Sequence, residues 1–420
     1  MAFTGNIQAL NELKQSIETA KQHQDKIALF VLDLDLFKTI NATLGYEIGN
    51  EILQNVADRL KATAPVNSKI IRLEGDEFLI ILPTKQDFFY LSQLAKQILI
   101  KIREAILTNH QELYITASMG ISLYPEHGKD EQILLHHADM ALYKAKQQSG
   151  RNNYQFYSVE VENNLKNKLA LESELHAAIK HNSFILHYQP QIDLKTHQIS
   201  GIETLLRLKR SDNSLLLPEE FIDAAEETGL IVPISEWILN TAFTQYQKWK
   251  LKSSTLAVNI SARLLKEPDF LQMVEQALKN SELDHHVIKF EILENPIIKD
   301  IEGSVKIFQH LKEIGIHIAI DDFGIGYSSM NYLRRFPIDE LKIDRSLIQH
   351  ILEDKTDTVI VSSIIKMAHE MGMSVVAEGV ETEKQIQFLI EHECDKVQSH
   401  FFCPPLPAKD LEVFMKKSAP

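Results

Sequence analysis

The order of apolar and polar residues divides the chain into two parts that differ in hydrophobic periodicity. In the first part, helical spacing alternates irregularly with short apolar runs. KIALFVLDL at 26–34 is typical of a strand buried on both faces. Apolar arms at 69–72 and 78–83 flank the turn EGDE and predict a hairpin. Further predicted elements are helices at 7–22, 51–60, 91–105 and 132–148 and a strand at 114–123. This mixture predicts an α+β domain with a central, mainly antiparallel sheet, covering residues 1–157.

A polar segment follows at 158–180, SVEVENNLKNKLALESELHAAIK. Its few apolar residues recur at helical intervals, which predicts a helical linker whose later turns belong to the next domain. We therefore place the second domain at 168–420.

From Phe184 onward, strand-like apolar runs alternate regularly with segments of helical periodicity. The predicted strands are 184–192, 200–207, 255–261, 287–293, 316–322, 340–344, 374–378 and 396–402. Eight strand and helix units predict an α/β barrel with its site at the carboxyl ends of the strands. The connection DLKTHQ is too short for a crossover helix, so the first two strands should pair antiparallel.

The net charge and hydropathy of the chain limit the functions that it can have. The chain has 44 Lys and Arg against 58 Asp and Glu, a formal charge of −14, which argues against binding to nucleic-acid polymers. A phosphate ligand would have to be held locally, through divalent cations that offset the acidic field. No apolar run approaches the roughly 20 residues that span a bilayer, and the first residues do not resemble a signal peptide, so we expect a cytoplasmic protein.

Polar residues recur at the ends of the predicted barrel strands. They are Glu203, Asn259, Glu291, Asp321, Asp322, Lys342, Glu378 and Gln398. Taken singly, each could be a helix cap or a solvated side chain. Strand ends converge at one mouth of a barrel, however, and clustered carboxylates repel each other unless a cation neutralises them. An oxygen-only set suits Mg²⁺ or Mn²⁺, and adjacent aspartates could serve two ions.

These residues lie in motifs that resemble the EAL-type cyclic di-GMP phosphodiesterases. The motifs are GIETLLR at 201–207, VNIS at 258–261, FEILE at 290–294, DDFGIGYSSM at 321–330, LKID at 341–344, AEGVE at 377–381 and CDKVQ at 394–398. The resemblance covers 168–410 and implies a TIM-like barrel with one antiparallel strand. It also implies a hydrolase that opens cyclic di-GMP to linear pGpG with two Mg²⁺ or Mn²⁺ ions.

Carried over by position, the resemblance implies a role for each site residue. Glu203, Asn259, Glu291 and Asp321 would hold one metal ion, and Asp321, Asp322 and the catalytic Glu378 the second. Lys342 would orient or help to deprotonate the attacking water, with Gln398 supporting that side of the site. Gln189 and Arg207 would hold the ligand. Glu294 would anchor the loop 321–330.

The first domain resembles the GGDEF-type diguanylate cyclases, which have a nucleotidyl-cyclase-like fold. The resemblance rests on LDLDLFKTIN at 32–41, EGDEF at 74–78 and ADMALYKAKQQSGRN at 138–152. By position it implies metal contacts from Asp33, Asp76 and Glu77, a guanine contact from Asn41, and phosphate contacts from Lys38 and Lys146. GTP and Mg²⁺ are therefore the predicted ligands of this domain, if it binds any.

Departures from the cyclase motif argue against cyclase activity. Glu74 replaces the glycine that lets the backbone approach the nucleotide, and its charge would repel a triphosphate. One extra residue between Lys146 and Arg151 should turn the arginine away on a helix. We expect a degenerate domain that regulates, binds GTP or dimerises, in a homodimeric enzyme. Two alternatives stay open: a non-catalytic cyclic di-GMP receptor, and a bifunctional cyclase and phosphodiesterase.

Overall fold

The computed structural model describes residues 3–108, 112–147, 151–251, 254–294, 300–324 and 333–417. The chain separates into two compact units, 1–169 and 170–420. A long helix at Val159–His181 contains the boundary between them, where the polar segment predicted a helical linker. Each unit has its own apolar core.

The first unit consists of helices around one sheet. Its helices are α1 (Phe3–His23), α2 (Phe37–Leu44), α3 (Tyr46–Thr63), α4 (Phe88–Arg103) and α5 (Glu131–Gln147), followed by the boundary helix α6 (Val159–His181). Its strands are β1 (Lys26–Leu34), β2 (Lys69–Arg72), β3 (Glu77–Thr84), β4 (Ile106–Leu107), β5 (Glu112–Leu113), β6 (Ala117–Tyr124) and β7 (Tyr154–Phe156).

Strand β1 lies at the centre of a five-stranded sheet with the order β2-β3-β1-β6-β7. Alternate residues of β1 enter different cores: Phe30 and Leu32 pack with α3 and α4, whereas Leu29 and Val31 pack with α1 and α5. Both faces of the strand are covered, which explains its unbroken apolar run. All pairings are antiparallel except β6 with β7, so the predicted mainly antiparallel sheet is confirmed.

The second unit is a barrel surrounded by helices. Its strands are β8 (Phe184–Asp193), β9 (Ile199–Lys209), β10 (Leu215–Leu216), β11 (Thr255–Asn259), β12 (Ile288–Leu293), β13 (His317–Phe323), β14 (Glu340–Ile343), β15 (Ser374–Glu378), β16 (Lys396–Gln398) and β17 (Leu406–Pro407). Its described helices are α7 (Ile222–Thr228), α8 (Ile231–Trp249), α9 (Phe270–Ser281), α10 (Ile301–Glu313), α11 (Arg345–Gln349), α12 (Lys355–Glu370), α13 (Glu383–Glu391) and α14 (Ala408–Lys417).

Eight strands close the barrel in the order β9-β11-β12-β13-β14-β15-β16-β8, with β8 pairing back onto β9. Neighbouring strands are parallel except for β8, which runs antiparallel to both β9 and β16. The predicted barrel and its one antiparallel strand are therefore confirmed. The carboxyl ends of the seven parallel strands meet at one mouth.

The differences from the predicted elements are local. Helix α4 begins at Phe88 rather than near Leu91, because the Asp87 carboxylate caps it by accepting from the Tyr90 N–H. Strand β16 ends at Gln398, shorter than predicted. Two-residue strands such as β10 and β17 have no periodicity that a sequence pattern could reveal. Across the described helices, none combines the length and the apolar character needed to span a membrane.

Candidate functional site

The polar residues predicted at the strand ends come together at the barrel mouth. Strand register places Asn259 beside Glu291, Glu378 beside Gln398, and Gln189 beside Glu203. Strands β9, β12, β13, β14, β15 and β16 carry, in that order, Glu203, Glu291, Asp321 with Asp322, Lys342, Glu378 and Gln398. Residues separated by almost 200 positions in the sequence therefore share one cleft.

Asp321 and Asp322 reach the same site through an irregularity in β13. Successive residues of a regular strand point to opposite faces. The register between β13 and β14 shifts between Ile320 and Phe323, and Asp322 has a φ of 52°, in the left-handed region. This bulge turns both carboxylates towards Glu378, within 4.8 Å of one another.

The Lys342 ammonium lies among four carboxylates and is only 1% exposed. Its Nζ atom is 2.7 Å from Glu291 Oε2, 2.7 Å from Glu378 Oε1, 3.1 Å from Asp321 Oδ1 and 3.2 Å from Glu203 Oε2. Burial alone would lower the pKa of Lys342, but these carboxylates raise it well above its ordinary value. Lys342 is therefore a fixed cation and hydrogen-bond donor at neutral pH.

The carboxylates themselves differ in charge state. Burial opposes ionisation of Glu203, yet Lys342, Gln398 and Asn259 together lower its pKa. Asn259 Nδ2 donates to Glu203 Oε1 at 2.6 Å, and Gln398 Nε2 donates to Oε2 at 2.5 Å. Burial and the negative charge of Glu203 raise the pKa of Glu291 to about 8. Burial also raises the pKa of Glu378 well above its ordinary value.

The arrangement fits divalent cations. Two sets of carboxylates each place three oxygens within 4.8 Å of one another: Glu203, Glu291 and Asp321, and Asp321, Asp322 and Glu378. Within the described parts of the chain, both such sets lie at the barrel mouth. One lysine cannot balance five carboxylates, and this excess of negative charge adds to burial, the larger cause, in raising the pKa values of Glu291 and Glu378. Hard cations with oxygen ligands would remove it.

Metal binding should therefore release protons. Glu291, with a pKa of about 8, is mostly protonated at neutral pH and must lose its proton to become a ligand. We expect roughly one proton or more to be released per site, with Mn²⁺ affinity rising between about pH 6 and pH 8. Titration calorimetry in buffers of different ionisation enthalpy measures this release. Binding heats that are independent of the buffer would contradict the prediction.

The same groups predict how the metal-free protein responds to pH. A carboxyl group whose pKa is raised on folding favours the folded state below its unfolded pKa and loses that contribution as the pH rises through its folded pKa. For Glu291 this window runs from the ordinary value of 4.5 to about 8. The melting temperature without metal should fall across that range, and added Mn²⁺ should oppose the fall.

A cleft of about 920 Å³ opens beside the carboxylates. Its lining includes Arg207, Asn259 and Glu291, so a ligand there would contact both the arginine and the metal ligands. Gln189 lies deeper, donating to the Cys403 carbonyl at 3.1 Å and accepting from Gln398 Nε2 at 3.1 Å. Glu294 is buried directly after β12, while most of the loop 321–330 that it was predicted to anchor, from 325 onward, lies outside the described residues.

The first unit has a cavity of about 630 Å³ at the predicted nucleotide position. Its lining includes Asp33, Lys38, Glu74, Asp76, Glu77, Lys146 and Arg151. Strand register pairs Asp33 with Glu77, and Lys146 Nζ lies 2.7 Å from Asp33 Oδ2. Glu74 thus adds a carboxylate to the cavity, as the sequence predicted. Asn41 is on α2, where its buried Oδ1 lies against Gly49 and outside the cavity lining.

The prediction for Arg151 was wrong. It assumed a continuous helix from Lys146 to Arg151, along which one extra residue would rotate the arginine away. Helix α5 is described only to Gln147, and Arg151 has a φ of 50°, which is not a helical conformation. The chain brings Arg151 back to the same cavity as Lys146.

Sequence reasoning missed a second group of polar residues beneath the site. Gln191, Lys289 and Glu340 are at most 2% exposed and form hydrogen bonds with one another or with site residues. A signal existed: each lies two positions from a predicted site residue on the same strand, in YQPQ, KFE and ELK. Polar pairs at that spacing within apolar strands indicate a polar interior.

Comparisons with known proteins give the same division of the chain. Residues 172–405 match the EAL domain, and residues 5–153 match the diguanylate cyclase, GGDEF domain. The signaling protein YkoW of Bacillus subtilis is 38% identical over 410 residues, 97% of this chain and 51% of that protein. The bifunctional diguanylate cyclase/cyclic di-GMP phosphodiesterase MucR of Pseudomonas aeruginosa is 35% identical, covering 96% of this chain and 59% of that protein.

A solved structure of the PaMucR phosphodiesterase in complex with c-di-GMP is 37% identical, with a TM-score of 0.56. The match covers 58% of this chain and 99% of that structure. The chain spans only about half to three fifths of the two full-length relatives. With both domain matches in order along the chain and the barrel geometry in place, the protein belongs to the EAL domain family and carries an N-terminal GGDEF domain.

Proposed function

We propose that the barrel hydrolyses cyclic di-GMP to linear pGpG with two Mg²⁺ or Mn²⁺ ions. The observation that carries this proposal is the set of buried oxygen ligands beside a ligand-sized cleft. The cleft volume falls in the range of about 300–1,000 Å³ that is usual for small-molecule sites. Two comparisons support the choice of ligand: MucR is named a bifunctional diguanylate cyclase/cyclic di-GMP phosphodiesterase, and the PaMucR phosphodiesterase structure is a complex with c-di-GMP.

In this proposal the residues divide between two metal positions. Glu203, Asn259, Glu291 and Asp321 hold one ion, and Asp321, Asp322 and Glu378 hold the other. The ions would supply Lewis acidity for the in-line displacement of a phosphodiester oxygen by water. Asp321 belongs to both carboxylate sets, which supports a bridging role.

Lys342 orients the attacking water rather than deprotonating it. Its raised pKa keeps the ammonium protonated, so it donates hydrogen bonds and does not accept a proton. Glu378, whose Oε1 atom lies 2.7 Å from Lys342, is the proposed proton acceptor on that side, once bound cations oppose its raised pKa and keep it ionised. Gln398 donates to Glu203 and keeps that carboxylate ionised.

Arg207 and Gln189 hold the substrate in this proposal. Arg207 lines the cleft, and its guanidinium is suited to a phosphate oxygen. Its Nη1 atom donates to the Leu206 carbonyl, which fixes part of the side chain beside the site. Gln189, the register partner of Glu203, accepts a hydrogen bond from Gln398 Nε2 at the level of the site, so it would act on the substrate through that neighbour as well as directly.

The test is incubation of the purified chain with cyclic di-GMP and Mg²⁺ or Mn²⁺, followed by chromatography. We expect pGpG to form only when metal is present. Intact cyclic di-GMP would overturn the proposal. Binding without turnover under the same conditions would instead support the non-catalytic receptor.

For the first unit we infer a regulatory GTP-binding role without cyclase activity. The cavity offers Lys38, Lys146 and Arg151 to phosphates, which supports binding. Glu74 lines the same cavity, where its charge and bulk oppose the close approach of the triphosphate to the backbone that a glycine would allow. A homodimer is the assembly that we propose, and light scattering tests it.

We predict that GTP yields no cyclic di-GMP, even in a Glu203→Ala variant whose second domain cannot degrade the product. GTP should still change the rate of cyclic di-GMP hydrolysis in the wild-type chain. The matched control is Glu74→Gly, which restores the motif glycine. Cyclic di-GMP formed by the Glu203→Ala variant would establish the bifunctional alternative.

A further inference from the structure

The layer of side chains beneath the site is ionic. Residues two positions before Glu203, Glu291, Lys342 and Gln398 point into the barrel from the alternate strands β9, β12, β14 and β16. They are Gly201, Lys289, Glu340 and Lys396. Such layers in barrels are usually filled by branched aliphatic side chains. Because buried charges are costly, this layer calls for a specific explanation.

Gln191 occupies the space that Gly201 leaves open. The two residues are partners in the β8–β9 register, and Gln191 is fully buried. A Cβ atom on Gly201 would lie 2.5 Å from Gln191 Oε1, too close for any larger residue. The glycine therefore admits the glutamine side chain from the antiparallel strand into this layer.

Hydrogen bonds run from this layer up to the site. Lys289 Nζ donates to Gln191 Oε1 at 2.9 Å. Gln191 Nε2 then donates to Gln398 Oε1 at 2.9 Å and to Glu291 Oε1 at 3.4 Å. Gln398 Nε2 in turn donates to Glu203 Oε2. Each amide has one oxygen acceptor and one NH₂ donor, and a lysine only donates. Lys289 therefore fixes the donor-to-acceptor direction of every hydrogen bond in this series.

Lys289 is held in place by the rest of the layer. Its ammonium donates to Glu340 Oε1, and Lys396 Nζ donates to Glu340 Oε2 at 2.7 Å. Lys289 Nζ also lies 3.6 Å from Glu291 Oε1. Glu340 thus pairs with both lysines. Of the two, Lys289 is the one that also contacts Gln191 and Glu291.

We propose that Gln191, oriented by Lys289, is a positioning residue for the metal site of the proposed hydrolase. It holds Glu291 by Oε1, so that Oε2 faces Lys342. It also engages the oxygen of Gln398, so that Gln398 offers its NH₂ group to Glu203. Two candidate ligands, Glu291 directly and Glu203 through Gln398, are thereby oriented by one amide that lines no part of the described cleft.

The test is Mn²⁺ binding measured by electron paramagnetic resonance without substrate, on the full chain. Gln191→Met keeps the size of the side chain and the net charge but removes the hydrogen bonds. We expect Mn²⁺ affinity to fall by about 10- to 100-fold, as for other residues that orient metal ligands. At saturating Mn²⁺ the KM for cyclic di-GMP should stay close to that of the wild type, because Gln191 does not line the cleft.

The matched control is Gln385→Met. Gln385 is a glutamine of similar burial that donates to the Ile348 carbonyl and accepts from the Glu381 and Thr382 N–H groups, away from the barrel interior. Its loss should lower the melting temperature without changing Mn²⁺ affinity. Wild-type Mn²⁺ affinity in a folded Gln191→Met variant would overturn the inference.

A second variant keeps the test decisive if Gln191→Met does not fold. Lys289→Gln removes the cation that orients Gln191. By charge alone, loss of a positive group beside Glu291 should tighten Mn²⁺ binding, whereas loss of orientation should weaken it. Weaker binding supports the inference, and equal or tighter binding overturns it. Absence of Mn²⁺ binding by the wild-type chain would overturn the proposed function itself, and this inference with it.

Discussion

Replacing Asp321 by asparagine is expected to abolish cyclic di-GMP hydrolysis. Asp321 is the one carboxylate common to both sets of candidate metal ligands. Asparagine keeps the shape of the side chain but removes the negative charge that both ions would share. Because metal ions contribute several kcal/mol of transition-state stabilisation, we expect kcat to fall by at least about 1,000-fold. Chromatographic detection of pGpG at saturating substrate measures this loss.

The matched control for this variant is Asp395→Asn. Asp395 is a partly buried aspartate of the same domain that accepts from the Val375 N–H and pairs with His369. Its replacement should affect stability but leave kcat within a few-fold of the wild type. Mn²⁺ titration adds a second readout, since Asp321→Asn should also bind less Mn²⁺ per chain. Wild-type turnover by Asp321→Asn would contradict the assignment of the site.

Replacing Lys342 by methionine is expected to destabilise the metal-free protein strongly. Four carboxylates approach the buried ammonium within 3.2 Å and would lose the cation that they share, while Glu291 would keep Lys289 at 3.6 Å. Removal of one member of a buried ionic group typically costs about 3–5 kcal/mol of unfolding free energy. Loss of the hydrogen-bond donor should also lower kcat by at least about 100-fold.

The pH dependence gives this prediction its sign. Without Lys342, the pKa values of Glu291 and Glu378 rise further, since the cation now lowers both. The folded Lys342→Met variant is therefore more stable at low pH, where Glu291 and Glu378 are protonated, than at high pH, where both would have to ionise. Urea unfolding should therefore show a larger destabilisation at about pH 8 than at about pH 5.5, and added Mn²⁺ should reduce it at the higher pH.

Lys312→Met is the control for the loss of an ordinary ion pair. Lys312 donates to Asp339 at 2.6 Å, but both side chains are about one-third exposed. Such pairs contribute at most about 1 kcal/mol, so we expect a small effect that does not respond to Mn²⁺. A Lys342→Met protein as stable as the wild type at the higher pH would show that the four carboxylates do not depend on this cation.

Much of the barrel could be predicted because its strands are buried on both faces. Runs such as VIKFE and SVVAE are mostly apolar segments that end in a glutamate, and that glutamate marks the mouth. The antiparallel first pair also follows from sequence, because a connection of a few residues cannot cross the barrel. The sequence alone therefore predicts Glu203, Glu291 and Glu378 as candidate site residues.

Other features depend on contacts between distant segments. Helical periodicity predicted the position of Arg151 wrongly, because Arg151, with a φ of 50°, is not helical and lines the same cavity as Lys146. The partners of Gln191 lie on strands β12 and β16, which only the order of strands around the barrel brings together. A polar residue in a strand pattern indicates a polar neighbour but does not identify it.

Burial periodicity and side-chain chemistry are local properties, so the two domains, the strands and the candidate ligand residues could be predicted from the sequence alone. The tertiary structure decided how those residues meet. Pairing of β16 with β8 joins the last and first barrel strands and closes one mouth, and the bulge in β13 turns Asp322 to the same side as Asp321. The charge state of Glu291 was decided there too, because its pKa depends on burial and on Glu203, 88 positions earlier in the sequence.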